Sequence, residues 1–150
     1  MNELDLKKNL SLSNPEFRSR VVELENRINS LDKEHKIEPA DCPLKHLFSD
    51  GMYVREVTVP QGTVVIGKIH KHNHVWFLLT GMISVADEND TVDHIAPCYV
   101  EAPAGSKRMI YAHEDSVWVN VHANPTNTQD LKELEDLIIA KDYEEFNNKK

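Results

Sequence analysis

TVVIGKIHKHNHVWFLLTGMISVADE, residues 63–88, holds three short runs rich in Val, Ile, Phe and Trp, TVVIGKIH, VWFLLTG and MISVADE, the first two parted by Lys71-His72-Asn73 and the last two meeting at Gly81. Branched and aromatic residues in runs of four to eight, bounded by glycine and polar breaks, are the signature of β-strands rather than of a helix. Within this stretch His70, His72 and His74 have the same parity, so along a continuous strand their imidazoles would emerge on one face.

The same texture extends in both directions. MYVREVTV (52–59) precedes it, and TVDHI (91–95), YVEA (99–102), KRMIYAH (107–113) and VWVNVH (117–122) follow. Pro60-Gln61-Gly62, Glu88-Asn89-Asp90, Pro103-Ala104-Gly105 and His113-Glu114-Asp115-Ser116 are the turns between them. Eight short strands in about seventy residues define an all-β sandwich or barrel over residues 37–123.

Helices flank it. Asn14-Pro15 reads as an N-cap and a first-turn proline, and Phe17, Val21, Leu24, Ile28 and Leu31 follow at steps of four and three. The expected element is an N-terminal amphipathic helix over 14–36, packed on its own barrel or, alternatively, serving as an assembly contact. Residues 1–13 are polar and without a period, and are expected to form a flexible tail. In the C-terminal part, 124–150, a loop leads to a short helix opened by Asp130 and Glu133 in the manner of a capping box, with Leu131, Leu134 and Ile138 on its apolar face, and then to an acidic tail.

Composition narrows the function classes. The chain has 150 residues, 40% of them apolar, enough for one ordinary domain. A net charge of −8 argues against general binding to nucleic acid or an anionic membrane surface, because phosphate would be repelled. The start, MNELDLKKNL, lacks an apolar run of signal-peptide length, so a cytoplasmic protein is expected. Cys42 and Cys98 stand alone, without redox or zinc-finger spacing. Five glycines leave little for phosphate-cradling loops, and no Ser-His-Asp triad or dinucleotide fingerprint is recognisable.

Imidazole is the commonest metal-binding side chain, so three on one face point to part of a metal site. Distance constrains it: four residues of straight strand span roughly 13 Å, against metal–nitrogen bonds of about 2.0–2.1 Å. His70 and His74 can share an ion only where the chain bends, which places Lys71-His72-Asn73 at the bend and His72 at its rim. The bland alternative is a polar hairpin lined by three histidines.

These residues resemble the cupins. Their first motif, G-x5-H-x-H-x3,4-E-x6-G, counted back from Gly81, places His74 at the glutamate position, His70 at the second histidine and Lys68 at the first. In the second, G-x5-P-x-G-x2-H-x3-N, Pro103-Ala104-Gly105 matches P-x-G, while Arg108 stands at the histidine and Ala112 at the asparagine. The resemblance spans about residues 50 to 123 and implies a double-stranded β-helix, or jelly-roll barrel. Lysine and arginine cannot ligate a metal while protonated, so the implied site is a rearranged one. CPLKHLFSDGMYVREVTVPQG, KIHKHNH, PAGSKR and HEDSVWVNVH are also similar to small cupin-like proteins of phage and prophage genomes. That similarity implies a host-cytoplasm setting and makes His46 and His122 candidates to complete a site with His70 and His74.

VWVNVH alternates, so Trp118, Asn120 and His122 share one face and Val117, Val119 and Val121 the other; a valine face ordinarily seeks the core, which leaves the inward face open at this point. Arg108, in an inward position, would offer a planar cation to a carboxylate or phosphate, with Tyr53, Arg55 and Tyr111 as further donors. The alternative is an internal salt bridge of Arg108 with Glu56 or Glu101.

The function expected is a metal-binding barrel that binds or converts a small anionic metabolite. Its divalent ion (iron, zinc, nickel or manganese) would be held by His70, His74, His122 and His46, its substrate by Arg108, Arg55 and Tyr53, and protons would be moved by Tyr111 or His72. A metal-dependent enzyme of oxygenase, isomerase or hydrolase type, a non-catalytic protein sequestering a nucleotide-like signal, and an assembly component are the alternatives. Family analogy makes a homodimer the expected state.

Overall fold

In a computed structural model, which describes residues 16–35 and 40–148, the alternating runs become two antiparallel sheets packed face to face. The larger contains β1 (Leu44–Ser49), β2 (Met52–Val59), β5 (His74–Thr80), β8 (Cys98–Ala102) and β10 (Ser116–Ala123), in the order β1-β2-β10-β5-β8. The smaller contains β3 (Val64–Ile66), β6 (Met82–Ala86), β7 (Thr91–Ile95) and β9 (Met109–Ala112), in the order β3-β9-β6-β7. From β5 to β10 the chain passes between the sheets at every connection except β6 to β7, which is the winding of a double-stranded β-helix. TVVIGKIH is divided: Gly67 and Lys68 separate β3 from the two-residue β4 (Ile69–His70), which pairs with β11 (Ile139–Ala140) near the C-terminus.

Alternation decides what lies between the sheets. Val57, Val59, Trp76, Leu78 and Trp118 point inward from the larger sheet and meet Ile83, Val85 and Ala112 from the smaller. On β10 it is therefore Trp118, not the valines, that faces the core. The preference of valine for the interior is overridden because the outer face of this sheet carries apolar residues, with Val75, Phe77, Leu79 and Tyr99 at least a third exposed, so Val119 and Val121 lie opposite Phe77 and Val75 on the outside, while Val117 sits between Thr58 and Thr80. The turn from β5 to β6 uses Gly81 at φ 85°, where a Cβ would collide with Asp115 O at 2.6 Å and with Ser116.

Helix α1 (Glu16–His35) lies across the outside of the smaller sheet, with Phe17 and Val21 buried against Ala86 and Met109. The first half of its stripe thus packs on its own barrel, and Ile28, further along, is exposed. Arg18 forms two bonds to the Glu88 carboxylate, at 2.8 and 2.6 Å, and its guanidinium lies 4.2 Å from the centre of the Tyr143 ring. The expected tail over 1–13 and the Asn14-Pro15 start lie outside the described residues.

At the other end, α2 (Leu131–Ile138) is capped by Asp130, whose carboxylate accepts from the N–H groups of Lys132 and Glu133 at 2.8 and 3.0 Å. The reciprocal half of a capping box is replaced: Glu133 accepts from Thr128 Oγ1 at 2.5 Å, and Asp130 N donates to that same hydroxyl at 3.2 Å. Leu134 and Ile138 bury against Tyr53 of the barrel. After β11, α3 (Tyr143–Asn147) brings Phe146 over Gly105, leaving no room for a Cβ there.

Neighbouring leucines on β5 test the assignment of faces. Leu78 is fully buried and Leu79 is 48% exposed. In urea unfolding, Leu78→Ala is expected to cost about 2–5 kcal/mol and Leu79→Ala about 0.5 kcal/mol or less; equal costs would contradict the facing given to the strand.

Candidate functional site

A bend brings the histidines together. His70 ends β4 and His74 begins β5, and the peptide between them is held from two sides. Lys71 N donates to Ile138 O at 2.7 Å, and Lys71 Nζ reaches Asp136 O at 2.6 Å and Glu145 at 2.9 Å. On the opposite side Gly105 N donates to His70 O, and Ala104 N to the Asn73 side chain, both at 2.8 Å. The rings of His70 and His74 come to 4.2 Å between centres, and His122, near the end of β10, completes a triangle at 5.4 and 4.6 Å. One nitrogen from each of the three lies within 4.8 Å of the others.

Burial sets the charge of this cluster. Loss of solvent is the largest influence on all three imidazoles, taking His70 and His122 down to about 3 and His74 to about 4. Neighbouring cations add to it: His70 feels both Arg108 and Arg55, His74 feels Arg108, and His122 feels Arg55, while Asn120 and the His72 backbone pull His74 the other way. At neutral pH the three rings are uncharged, the state in which imidazole is a ligand. His74 Nδ1 is buried without a partner in hydrogen-bonding geometry. Three neutral imidazoles converging to this spacing, one with an unsatisfied nitrogen, fit the donor set of a divalent ion such as iron, zinc, nickel or manganese.

The cluster stands in the wall of a cavity of about 420 Å³ inside the barrel. Register explains the lining. On β2 and β10, Tyr53 lies opposite His122, Arg55 opposite Asn120 and Val57 opposite Trp118, so inward positions run from polar at the histidines to apolar in the core. Arg108 enters from the other sheet, two positions before the inward Ile110, and its main chain is paired with Gly67, where Gly67 N donates to Arg108 O at 2.7 Å. At the mouth, His46 Nδ1 and Tyr53 OH form a hydrogen bond of 2.8 Å, and Lys68 pairs with Glu135 of α2.

Several sequence expectations are relocated. His122 faces inward and is 7% exposed, with the valines outside. His46 lines the cavity through Tyr53 but stands apart from the three-imidazole cluster. His72 is exposed on the bend and does not line the cavity. Tyr111 is likewise outside it: Ile110 takes the inward parity on β9, so Tyr111 packs beneath α1 and edge-on against His113 at 4.9 Å. Arg108 makes neither expected salt bridge, because Glu56 pairs with Lys45 at 2.9 Å and Glu101 accepts from Asn73 at 3.3 Å. Its Nε is buried without a partner. Sequence reading missed the contribution of α2 and β11 to the cavity wall, through Leu134, Glu135, Ile138 and Ile139, and the inward Asn120. For Asn120 the signal was present in its shared parity with His122; for Glu135 the three-dimensional return of the C-terminus was needed.

Solved structures share this architecture. KdgF from Halomonas sp. superposes with a TM-score of 0.51 at 16% identity, over 65% of this chain and 93% of that one. A cupin 2 domain-containing protein from Halorhodospira halophila gives 0.50 at 15%, over 57% and 66%. No protein-family model and no curated protein matches the sequence. The chain therefore has the cupin fold, a jelly-roll barrel with an N-terminal helix and short C-terminal helices. Within that fold it carries a three-histidine cluster of metal-binding spacing. No helix among the described residues is long and apolar enough to cross a membrane.

The depressed histidines make stability depend on pH. Between an unfolded value near 6.5 and the folded values of about 3 to 4, the unfolded chain binds more protons than the folded one, so stability falls as pH falls through that window. The chelator-treated protein is expected to show a thermal midpoint that declines steadily from about pH 6.5 towards pH 4, more steeply than a His122→Asn variant. A midpoint independent of pH over that range would contradict the buried, neutral state of the cluster.

Proposed function

We propose that this protein is a metal-binding cupin-type barrel that takes up a small anionic molecule beside the ion. The observation that carries the reading is the convergence of His70, His74 and His122, with one nitrogen of each inside 4.8 Å, on the wall of a cavity that Arg108 also lines. The same three residues would hold the ion. When bound, a divalent ion supplies Lewis acidity and, for a redox-active metal, a centre for oxygen chemistry.

The chain's own groups divide the remaining work. Arg108 faces the cavity from the smaller sheet and would orient an anionic group, and Arg55 does the same from the larger. Trp76, Trp118 and Ile110 exclude water from the inner end. Tyr53, hydrogen-bonded to His46, is the wall residue suited to hold or pass a proton, a role that the exposed His72 and the outward Tyr111 are not placed to take. Conversion of the ligand would use that pair; sequestration of it would need only the ion and the arginines. The likeness of PAGSKR and HEDSVWVNVH to phage-borne cupins extends the proposal to a setting, the cytoplasm of an infected host.

Elemental analysis of the purified protein tests the reading. About one divalent ion per chain is expected in the wild type, with a loss of roughly 10-fold or more in metal affinity in His70→Ala, His74→Ala and His122→Ala and little change in His72→Ala. Absence of metal in the wild type, or retention of it in all three cluster variants, would overturn the proposal.

A further inference from the structure

The cavity holds more positive charge than one anionic group satisfies. Arg55 belongs to β2 of the larger sheet, and Arg108 immediately precedes β9 of the smaller, so two guanidinium groups enter the same space from opposite walls. Neither has a hydrogen bond or an ion pair from its side chain to another described residue, and Arg108 Nε is buried without a partner. The surrounding acids are paired elsewhere or act only from a distance: Glu56 pairs with Lys45, Glu101 accepts from Asn73 and Glu135 pairs with Lys68 at the mouth, while Asp87 faces Arg108 and Glu135 faces Arg55 through their fields without forming an ion pair.

A guanidinium withdrawn from water needs a counter-charge, and its planar fork is matched by a carboxylate accepting two parallel bonds. A monocarboxylate seated on one arginine leaves the other unmatched. An inorganic phosphate concentrates its charge at one centre, whereas here the cations enter from opposing sheets into a cavity whose lining also includes the apolar Trp76, Ile110 and Leu134. We infer that the ligand of this barrel is a small dicarboxylate, held with one carboxylate on Arg55 and the other on Arg108, its short carbon chain against the apolar lining. This deepens the proposal of an anion site in the cavity and rests on it, but does not require the metal.

Calorimetry on the protein as purified tests the pairing, with metal stoichiometry measured on the same samples. Malonate, succinate and glutarate are titrated at low ionic strength against propionate, butyrate and valerate, with inorganic phosphate as a single-centre anion. At least one dicarboxylate is expected to bind about tenfold or more tighter than its monocarboxylate counterpart, the gain of a second charge-assisted pair. That advantage is expected to vanish in Arg55→Gln and in Arg108→Gln while the metal content stays at the wild-type level. No preference for any dicarboxylate, a preference that survives in either variant, or phosphate binding tighter than every dicarboxylate would overturn the inference. The wild-type titrations decide even where a glutamine variant does not fold. Metal present and lost in the histidine variants, but without dicarboxylate preference, leaves the metal reading standing while this one falls; dicarboxylate preference without metal does the reverse.

Discussion

Gly105 N donating to His70 O and Ala104 N donating to the Asn73 side chain, both at 2.8 Å, tie the bend between β4 and β5 to the Pro103-Ala104-Gly105 turn. Without that tie a strand running through residues 70–74 would hold its end histidines about 13 Å apart, too far for one ion. With it their ring centres are 4.2 Å apart. The turn itself is constrained: Gly105 has φ 82°, and Phe146 of α3 occupies the space a Cβ would need. The backbone of one short turn thus links the C-terminal helix, the histidine bend and the approach of Arg108, three residues further on.

The C-terminus completes this clamp from the other side. β11 pairs Ile139 with His70, and the carbonyls of Ile138 and Asp136 receive Lys71 through its N–H and its ammonium. Because Leu134, Glu135 and Ile138 also line the cavity, the segment that orients His70 is the same one that bounds the ligand space. Burial supplied in this way is what keeps three imidazoles uncharged and close. Charged rings at this separation would repel, so the geometry and the protonation state support one another.

Much of this was legible in the sequence because strands announce themselves by branched and aromatic runs between turn residues, and because P-x-G with a histidine bend has few ways to be built. His70 and His74 were legible for the same reason: parity and the need for a bend both follow from strand geometry. His122 was ambiguous, since a strand offers two faces and the valine face of β10 found apolar neighbours outside, beside Phe77 and Val75. Tyr111 was misplaced because proximity in sequence to Arg108 says nothing of parity, and Ile110 takes the inward position. The salt-bridge alternatives for Arg108 failed likewise, Glu56 and Glu101 both being committed to other partners. The return of α2 and β11 to the mouth depends on contacts some seventy residues apart in the chain, such as Ile139 with His70, which no local pattern carries.

X-ray absorption at the edge of the ion that copurifies with the protein addresses the central claim most directly, because multiple scattering from imidazole rings counts histidine ligands without a crystal. The account predicts scattering from three imidazoles, reduced to two in a His122→Ala sample that still holds metal. A first shell of oxygen or sulfur with one imidazole or none would contradict it.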